Sequence, residues 1–370
     1  MRRAAPEGRM KLITSTTHFL LAVAVSVLLI AITASAQVPP TPKPYPEPPA
    51  TSKQKEKEKE KMPKFPTPGE FPTGVEWGTG TTSERSIAVD AKVSITMCVT
   101  QGSVTVNGWK RDEIRAFVSE GSKFGFRVLQ KSMKEDGKPV LLSLVGIKTL
   151  PGGAVTMVDC IAGSEIQLDV PENAALSLRG RETETSVDTL RKIVVTNVGG
   201  DISIRNVAQG VTAKTGQGDI TVENSQGAMY LESSSGNVVA FAVEPAEVGD
   251  AFRAKTNSGA ISLQKIGYRL ADITSISGTV LFTGRLLMGG SFSFNTTNGA
   301  IRLAIPQDSS CRITATYGFG NFNSELPIKL LTEDNRPGPV KTVNAVMGSG
   351  DSTLRLTTNS GAIQIRKLQP

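Results

Sequence analysis

The chain has 370 residues, with 41 Lys and Arg, 34 Asp and Glu, three Cys and one His. The single histidine, His18, lies in an apolar N-terminal segment that we expect to be removed. A mature chain without histidine excludes Ser-His-Asp triads, Cys-His dyads and His-ligated metal sites. The composition therefore predicts no catalytic residues, no metal and no cofactor.

The N-terminus, residues 1–36, predicts a secretory signal. Basic Arg9 and Lys11 precede an apolar run of 14 residues, Phe19 to Ile32, and a small-x-small pattern follows at Ala34–Ala36. The run is short for a membrane span of about 20 residues, so cleavage is favoured over an uncleaved anchor. We expect an exported protein in the periplasm, at the cell surface or secreted, with membrane contact only through an uncleaved signal.

Residues 37–73 predict a disordered linker. This stretch holds 11 prolines and an alternating Lys/Glu run over 53–61. It therefore has almost no apolar surface whose burial would offset the conformational entropy lost on ordering. A stalk whose lysines touch an anionic polymer is the alternative. Without the signal and the linker, the net charge falls from +7 to about +2. No nucleic-acid partner is predicted, because no dense basic face follows from so small a charge.

A repeat is the strongest signal after residue 74. Eight glycines share one downstream pattern: Gly102, Gly200, Gly218, Gly236, Gly259, Gly278, Gly299 and Gly361. Two residues later come β-branched aliphatic residues: Val104, Ile202, Ile220, Val238, Ile261, Val280, Ile301 and Ile363. Apolar residues follow again after two more positions, and polar residues mostly lie between. This alternation predicts strands with one buried face.

The pattern also extends upstream of six of the glycines. Hydroxyl side chains lie three residues before them: Thr215, Ser233, Thr256, Ser275, Thr296 and Thr358. Each unit therefore reads as a strand, a tight Gly turn and a second strand, with the glycine expected at positive φ, for example at Gly259, Gly299 and Gly361. The units recur about every 20 residues, which is typical of stacked repeats.

Two all-β architectures fit this unit. In a β-solenoid of two-strand repeats, equivalent strands stack in parallel and the constant phase of the inward positions is explained. In an antiparallel hairpin meander or sandwich, the Asn-Gly turns are explained. We favour the solenoid. The region 74–190 is predicted to be a degenerate continuation of the regular repeats in 191–370, because Leu168–Pro171 and Leu303–Pro306 begin two similar segments 135 residues apart.

From about Glu84 to Lys367 the chain resembles the bacterial putative-adhesin domain family, an exported domain of unknown function. The segments that carry the resemblance are Gly102–Trp109, Gly200–Ile204, Thr215–Val222 and Thr358–Ile365. The resemblance implies a repetitive β fold at the cell envelope. It supplies no catalytic residues.

The cysteines and the Gly-Asp pairs are candidate sites of low specificity. A disulfide between Cys98 and Cys160 and three unpaired cysteines are both open, whereas Cys311 is expected to be a buried thiol. The pairs Gly200-Asp201, Gly218-Asp219 and Gly350-Asp351 resemble calcium-binding turns only superficially, and local capping is the favoured interpretation.

The predicted function is that of a non-enzymatic adhesin or surface-binding module of the cell envelope. Trp109, Tyr317 and Phe319 are candidates for stacking on sugars, although end-capping or corner packing is the favoured interpretation of these aromatic residues. Envelope polysaccharide, a surface protein or a further copy of the chain are the expected partners. A structural or stress-related scaffold without an external ligand is the alternative. A β-helix carbohydrate-active enzyme is the remote one, because the outward positions of the regular repeats give no acidic pair.

Overall fold

The computed structural model describes residues 75–76, 78–81, 83–134, 136–151, 155–334 and 339–369. The predicted signal (1–36) and linker (37–73) lie outside the described residues. In the described part, every regular element is a β-strand, and strands are numbered below in chain order.

The N-terminal part of the described chain is dominated by two long strands, β4 and β10. The strands in this part are β1 (Val75–Glu76), β2 (Thr79–Gly80), β3 (Glu84–Ala88), β4 (Ser94–Trp109), β5 (Glu113–Ser119), β6 (Lys123–Lys131), β7 (Pro139–Thr149), β8 (Val155–Val158), β9 (Cys160–Pro171) and β10 (Ala175–Leu190). β4 and β10 pair in parallel over both of their halves. β7 and β9 pair in parallel with the first and second halves of β4. The other pairings in this part are antiparallel and close this end of the stack.

The central part consists of rungs, each made of two strands separated by a two-residue bend. The rungs are β11 (Lys192–Gly199) with β12 (Ile202–Val207), β13 (Val211–Gln217) with β14 (Ile220–Glu223), β15 (Met229–Ser235) with β16 (Val238–Val243), β17 (Ala251–Ser258) with β18 (Ile261–Ile266), β19 (Leu270–Ser277) with β20 (Val280–Thr283), and β21 (Ser291–Asn298) with β22 (Ile301–Ile305). The first strands of successive rungs pair in parallel and form sheet I. The second strands do the same and form sheet II. These pairings confirm the β-solenoid-like stack, and the hairpin meander is wrong for this region.

The C-terminal rungs are stacked out of chain order. The strands are β23 (Cys311–Phe319), β24 (Phe322–Ser324), β25 (Lys329–Glu333), β26 (Lys341–Met347), β27 (Ser352–Ser360) and β28 (Ile363–Lys367). The last rung, β27 with β28, lies between β21–β22 and β23–β24. β26 and β25 pair antiparallel beyond β23 and end sheet I.

This arrangement gives a physical meaning to the two similar sequence segments. After Leu168–Pro171 the chain crosses from β9 to β10, and β4 fills the place between them. After Leu303–Pro306 it crosses from β22 to β23, and β27–β28 fill the place between those rungs. Both segments therefore precede a crossover that leaves room for one rung from elsewhere in the chain.

The core is a single apolar cluster along the stack, with members from Ile87 to Ile365. All eight β-branched residues that follow the repeated glycines are at most 1% exposed. The apolar residues two positions further on are buried as well. The predicted period-two alternation thus defines the interior of both sheets.

The six predicted hydroxyls connect neighbouring rungs inside this core. Each is at most 5% exposed and donates a hydrogen bond to the carbonyl of the bend glycine in the adjacent rung. The six bonds, 2.9–3.1 Å long, are Thr215 to Gly200, Ser233 to Gly218, Thr256 to Gly236, Ser275 to Gly259, Thr296 to Gly278 and Thr358 to Gly299. These bonds give part-buried bend carbonyls a partner, and a polar group that loses its partner on burial is costly.

The bend glycines are required for two different reasons. Gly259 and Gly361 have φ of 153° and 154°, so the prediction of positive φ is right there. It is wrong for Gly299, whose φ lies outside the left-handed region. A Cβ at Gly299 would overlap the carbonyl oxygen of Gly278 in the neighbouring rung. Close stacking of rungs therefore excludes a side chain at Gly299.

Gly299→Ala should destabilise the fold by roughly 3 kcal/mol or more, because the added methyl group forces two rungs apart. Gly289→Ala is the matched control: Gly289 has φ of 70° but no atom within 4 Å of its added Cβ. Its cost should be about 1 kcal/mol of backbone strain. Thermal unfolding of both variants measures the difference, and equal costs would contradict the close-stacking explanation.

Candidate binding surfaces

The three aromatic candidates do not form one site. Trp109 ends β4, whereas Tyr317 and Phe319 lie in β23, many rungs away along the stack. With about 4.8 Å between neighbouring strands, the two ends are roughly 40 Å apart. Each end must therefore be judged by itself.

Tyr317, one of the candidates for sugar stacking, is buried. Its side chain is 8% exposed. Tyr317 pairs with Thr358, so it occupies the inward position that carries a hydroxyl in the neighbouring rung. The sequence signal for this inward position is that Tyr317 lies three residues before Gly320, as the buried hydroxyl residues lie three residues before their bend glycines. Phe319, in contrast, is 69% exposed and stays a candidate contact at this end.

Trp109 lies in a polar cleft at the N-terminal end. Its indole Nε1 donates to the carbonyl of Glu113 at 2.7 Å. The guanidinium carbons of Arg111 and Arg115 lie 5.0 and 5.3 Å from its ring centroid, within cation–π range. The ring thus holds two guanidinium groups in place, which the sequence alone did not indicate.

A buried carboxylate fixes one of those guanidinium groups. Arg115 Nη2 lies 2.6 Å and Nε 3.0 Å from Oδ2 of Asp169, whose residue is 6% exposed. This hydrogen bond and the charge of Asp169 raise the pKa of Arg115. Arg111 and Arg115 are both exposed beside the cleft, so two oriented guanidinium groups are accessible there, one of them paired with Asp169.

The cleft has a volume of 230 Å³ and is lined by Trp109, Arg111, Glu84 and Glu113, among others. In the antiparallel pairing of β3 with β5, Glu84 lies opposite Phe117, and Glu113 lies opposite Ala88, four residues further along β3. This offset places the Cα atoms of the two glutamates about 13 Å apart along the strands. The cleft thus presents both guanidinium groups and carboxylates to a polar ligand.

A second polar cluster lies on the outer face of sheet I. Tyr230 donates from its hydroxyl to Glu232 at 2.9 Å. Lys214 lies 3.3 Å and Lys255 3.6 Å from the same carboxylate. Partial burial raises the pKa of Glu232, but the Tyr230 hydrogen bond and the two lysines outweigh it, so the net shift is downward. The cluster spans the neighbouring strands β13, β15 and β17 and stays charged at neutral pH.

The Gly-Asp pairs serve the stack itself. Oδ1 of Asp201 accepts the backbone N–H of Asp219 at 2.8 Å, and Oδ1 of Asp219 accepts that of Asn237 at 2.7 Å. Asp351 accepts a hydrogen bond from the Ser349 hydroxyl, which lowers the pKa of Asp351. The described residues contain no group of three or more potential ligands that could hold a metal ion. These aspartates are thus occupied by hydrogen bonds.

The cysteines fall into two environments. Cys98 and Cys160 face each other in the parallel pair of β4 and β9, with Cα atoms 4.4 Å apart, and are joined as a disulfide. Cys311 is a buried free thiol. Burial raises the pKa of the Cys311 thiol to about 11.

Comparison with known proteins identifies the family. The family model described as Toastrack DUF4097 matches residues 148–366, which is more than half of the chain. The chain belongs to the Toastrack DUF4097 family. This confirms the resemblance to a putative-adhesin domain of unknown function, and the matched Toastrack region runs from the end of β7 into β28.

Other comparisons add little to the Toastrack assignment. A crystal structure of a putative cell adhesion protein from Clostridium sporogenes is 12% identical and has a TM-score of 0.23. The match covers 77% of this chain and 98% of that one. No curated protein matches the chain. No helix long and apolar enough to cross a membrane occurs in the part of the chain that the structure describes.

Thiol titration tests the cysteine assignment. Without reductant the native chain should show no reactive thiol at neutral pH, because only a thiolate reacts and Cys311 is buried. Unfolding in denaturant should expose one thiol, and unfolding with reductant should expose three. Two or three thiols in the unreduced, unfolded chain would contradict the disulfide.

Proposed function

We propose that this chain is an exported, non-enzymatic β-repeat protein that acts as an adhesin or surface-binding module of the cell envelope. Export is supported by the predicted signal. It is also supported by the Cys98–Cys160 pair, since disulfides persist mainly in oxidising compartments.

The observation that carries the proposal is the pair of outer sheet faces. In-register stacking places equivalent side chains of neighbouring strands in rows, about 4.8 Å apart within each row. Ser203 and Thr221 are two polar neighbours in such a row on sheet II. Such a face offers many hydroxyl and amide groups at fixed spacing. Binding would then come from contact area and repetition, with the Trp109 cleft and exposed Phe319 as additional contacts at the two ends.

The absence of a catalytic role is part of the proposal. It is supported by the hydrogen bonds that occupy Asp201 and Asp219. Turnover of a carbohydrate that stops on changing one of these carboxylates would contradict it.

One observation favours the envelope scaffold as a second candidate. Among the described strands, β25 pairs only with β26, and Leu330 and Leu331 on it are 55% and 56% exposed. An edge strand of this kind can pair with another chain, so self-association through this end would build a scaffold without an external ligand.

The experiment is binding of the full chain to a glycan array and to isolated envelope fractions. We expect saturable binding to at least one envelope component. Binding no higher than background, together with altered envelope integrity on deletion of the gene, would reject adhesion and favour the scaffold.

A further inference from the structure

The two outer faces of the stack carry opposite charges between β10 and β17. On sheet I the outward positions carry six cations, which define the basic face: Arg179, Arg181, Lys192, Lys214, Arg253 and Lys255. Three acids, Glu182, Glu232 and Asp272, lie among or beside them. The sequence does not reveal this segregation directly. The net charge of the folded part is small, and the residues that share one face come from strands that the bends and the strands of the other sheet separate in the sequence.

Sheet II carries the balancing negative charge. Its outward positions over the same rungs hold Glu184, Asp188 and Glu223, and Asp201 and Asp219 lie in the bends beside them. Two cations lie on this face: Arg205, 3.7 Å from Asp188, and Lys265, over the ring of Phe241. The two faces are separated by the thickness of a packed sheet pair, about 10 Å. A large anionic partner would therefore be attracted to one face and repelled by the other.

The cations on the basic face follow the register of the strands. Pairing aligns Arg179, Thr196, Lys214, Glu232 and Lys255 in one row across five neighbouring strands. Positive charge thus recurs at every second strand, about 10 Å apart.

Several of these cations are available for a ligand. In the described part of the chain, Arg179, Lys192 and Arg253 have no ion pair with a carboxylate, and all three are exposed. Lys214 and Lys255 share Glu232, which holds their ammonium groups in fixed positions beside Tyr230.

We propose that the basic face binds a linear, carboxylate-bearing polysaccharide that runs across the strands of sheet I. The proposal rests on the proposed function and names its ligand class. Carboxylates pair with the exposed cations of the basic face, whereas the hydroxyl and amide groups of Thr196, Thr212 and Asn257 on the same face meet sugar hydroxyls as both donors and acceptors.

Other polyanions fit the face less well. Single-stranded nucleic acid is held by successive stacked bases, but Tyr230 is the single aromatic among the described outward positions of sheet I from β10 to β17, and its ring is covered by Lys214 at 4.6 Å. Binding to a membrane surface is strengthened when apolar side chains insert beside the cations. The two rows at the centre of this face, Thr212–Tyr230–Arg253 and Lys214–Glu232–Lys255, are polar.

The test uses polygalacturonate as the probe, with neutral dextran as its uncharged counterpart, and compares three full-length proteins. The basic-face variant carries Arg179→Gln, Lys192→Gln and Arg253→Gln. The control carries Arg302→Gln, Arg366→Gln and Lys367→Gln, three exposed cations of sheet II. Both variants lose the same charge, and both keep the Lys-rich stretch before residue 75, so its contribution cancels.

The basic-face variant should bind polygalacturonate about tenfold more weakly, since each exposed ion pair is worth a factor of about two to three. The control should bind as the unchanged protein does, dextran should not bind, and higher salt should reduce the difference. Circular dichroism should show the same strand content in all three proteins.

Equal affinities of the two variants would overturn the proposal, as would tighter binding of poly(dT) or of phosphatidylglycerol vesicles than of polygalacturonate. If the unchanged chain binds envelope fractions but not polygalacturonate, this ligand class is wrong and the surface-binding function stands. If it binds neither, both fail.

Discussion

The buried hydroxyl that donates to the bend glycine of the preceding rung is the interaction on which the rest of the structure depends. Each rung turns at a bend whose glycine is half-buried, and the carbonyl of that glycine accepts the bond. In six rungs a Thr or Ser three residues before the rung's own glycine supplies the donor, and the absent Cβ lets the rungs approach closely enough for the bond. Register follows directly, because a rung shifted by one residue would turn its apolar side chains outward.

Fixed register determines what the surface can do. Once the inward positions are set, every outward side chain falls into a row with its equivalents in the neighbouring rungs, and the bend decides which charges share a face. The same rule explains the ends. Where Tyr317 replaces the hydroxyl, the regular rungs stop, and antiparallel strands close the stack. At the other end β4 and β10 run through both sheets, and the Cys98–Cys160 bond ties β4 to β9.

The regular part of this fold could be predicted from sequence because its determinants are local. The alternation that follows Gly200 or Gly259 needs no knowledge of distant residues, and neither does the hydroxyl before each bend. The insertion of β27–β28 between two earlier rungs could not be predicted, since it depends on which strand edge stays open. The cleft is similar: Trp109 stood out, but Arg115 and Asp169 meet only through the pairing of β5 with β9. The opposite charges of the two faces emerge only when the rungs are stacked.

The central claim is tested most directly by replacing one of the six buried hydroxyl residues with a residue of the same shape that lacks the hydroxyl group. Thr256 is fully buried and bonds the Gly236 carbonyl at 2.9 Å, whereas Thr274 points outward on the next rung. In urea unfolding, Thr256→Val should lower the free energy of unfolding by about 1–3 kcal/mol with an unchanged slope, and Thr274→Val should change it by no more than about 0.5 kcal/mol. A Thr256→Val protein as stable as the unchanged chain would contradict the account.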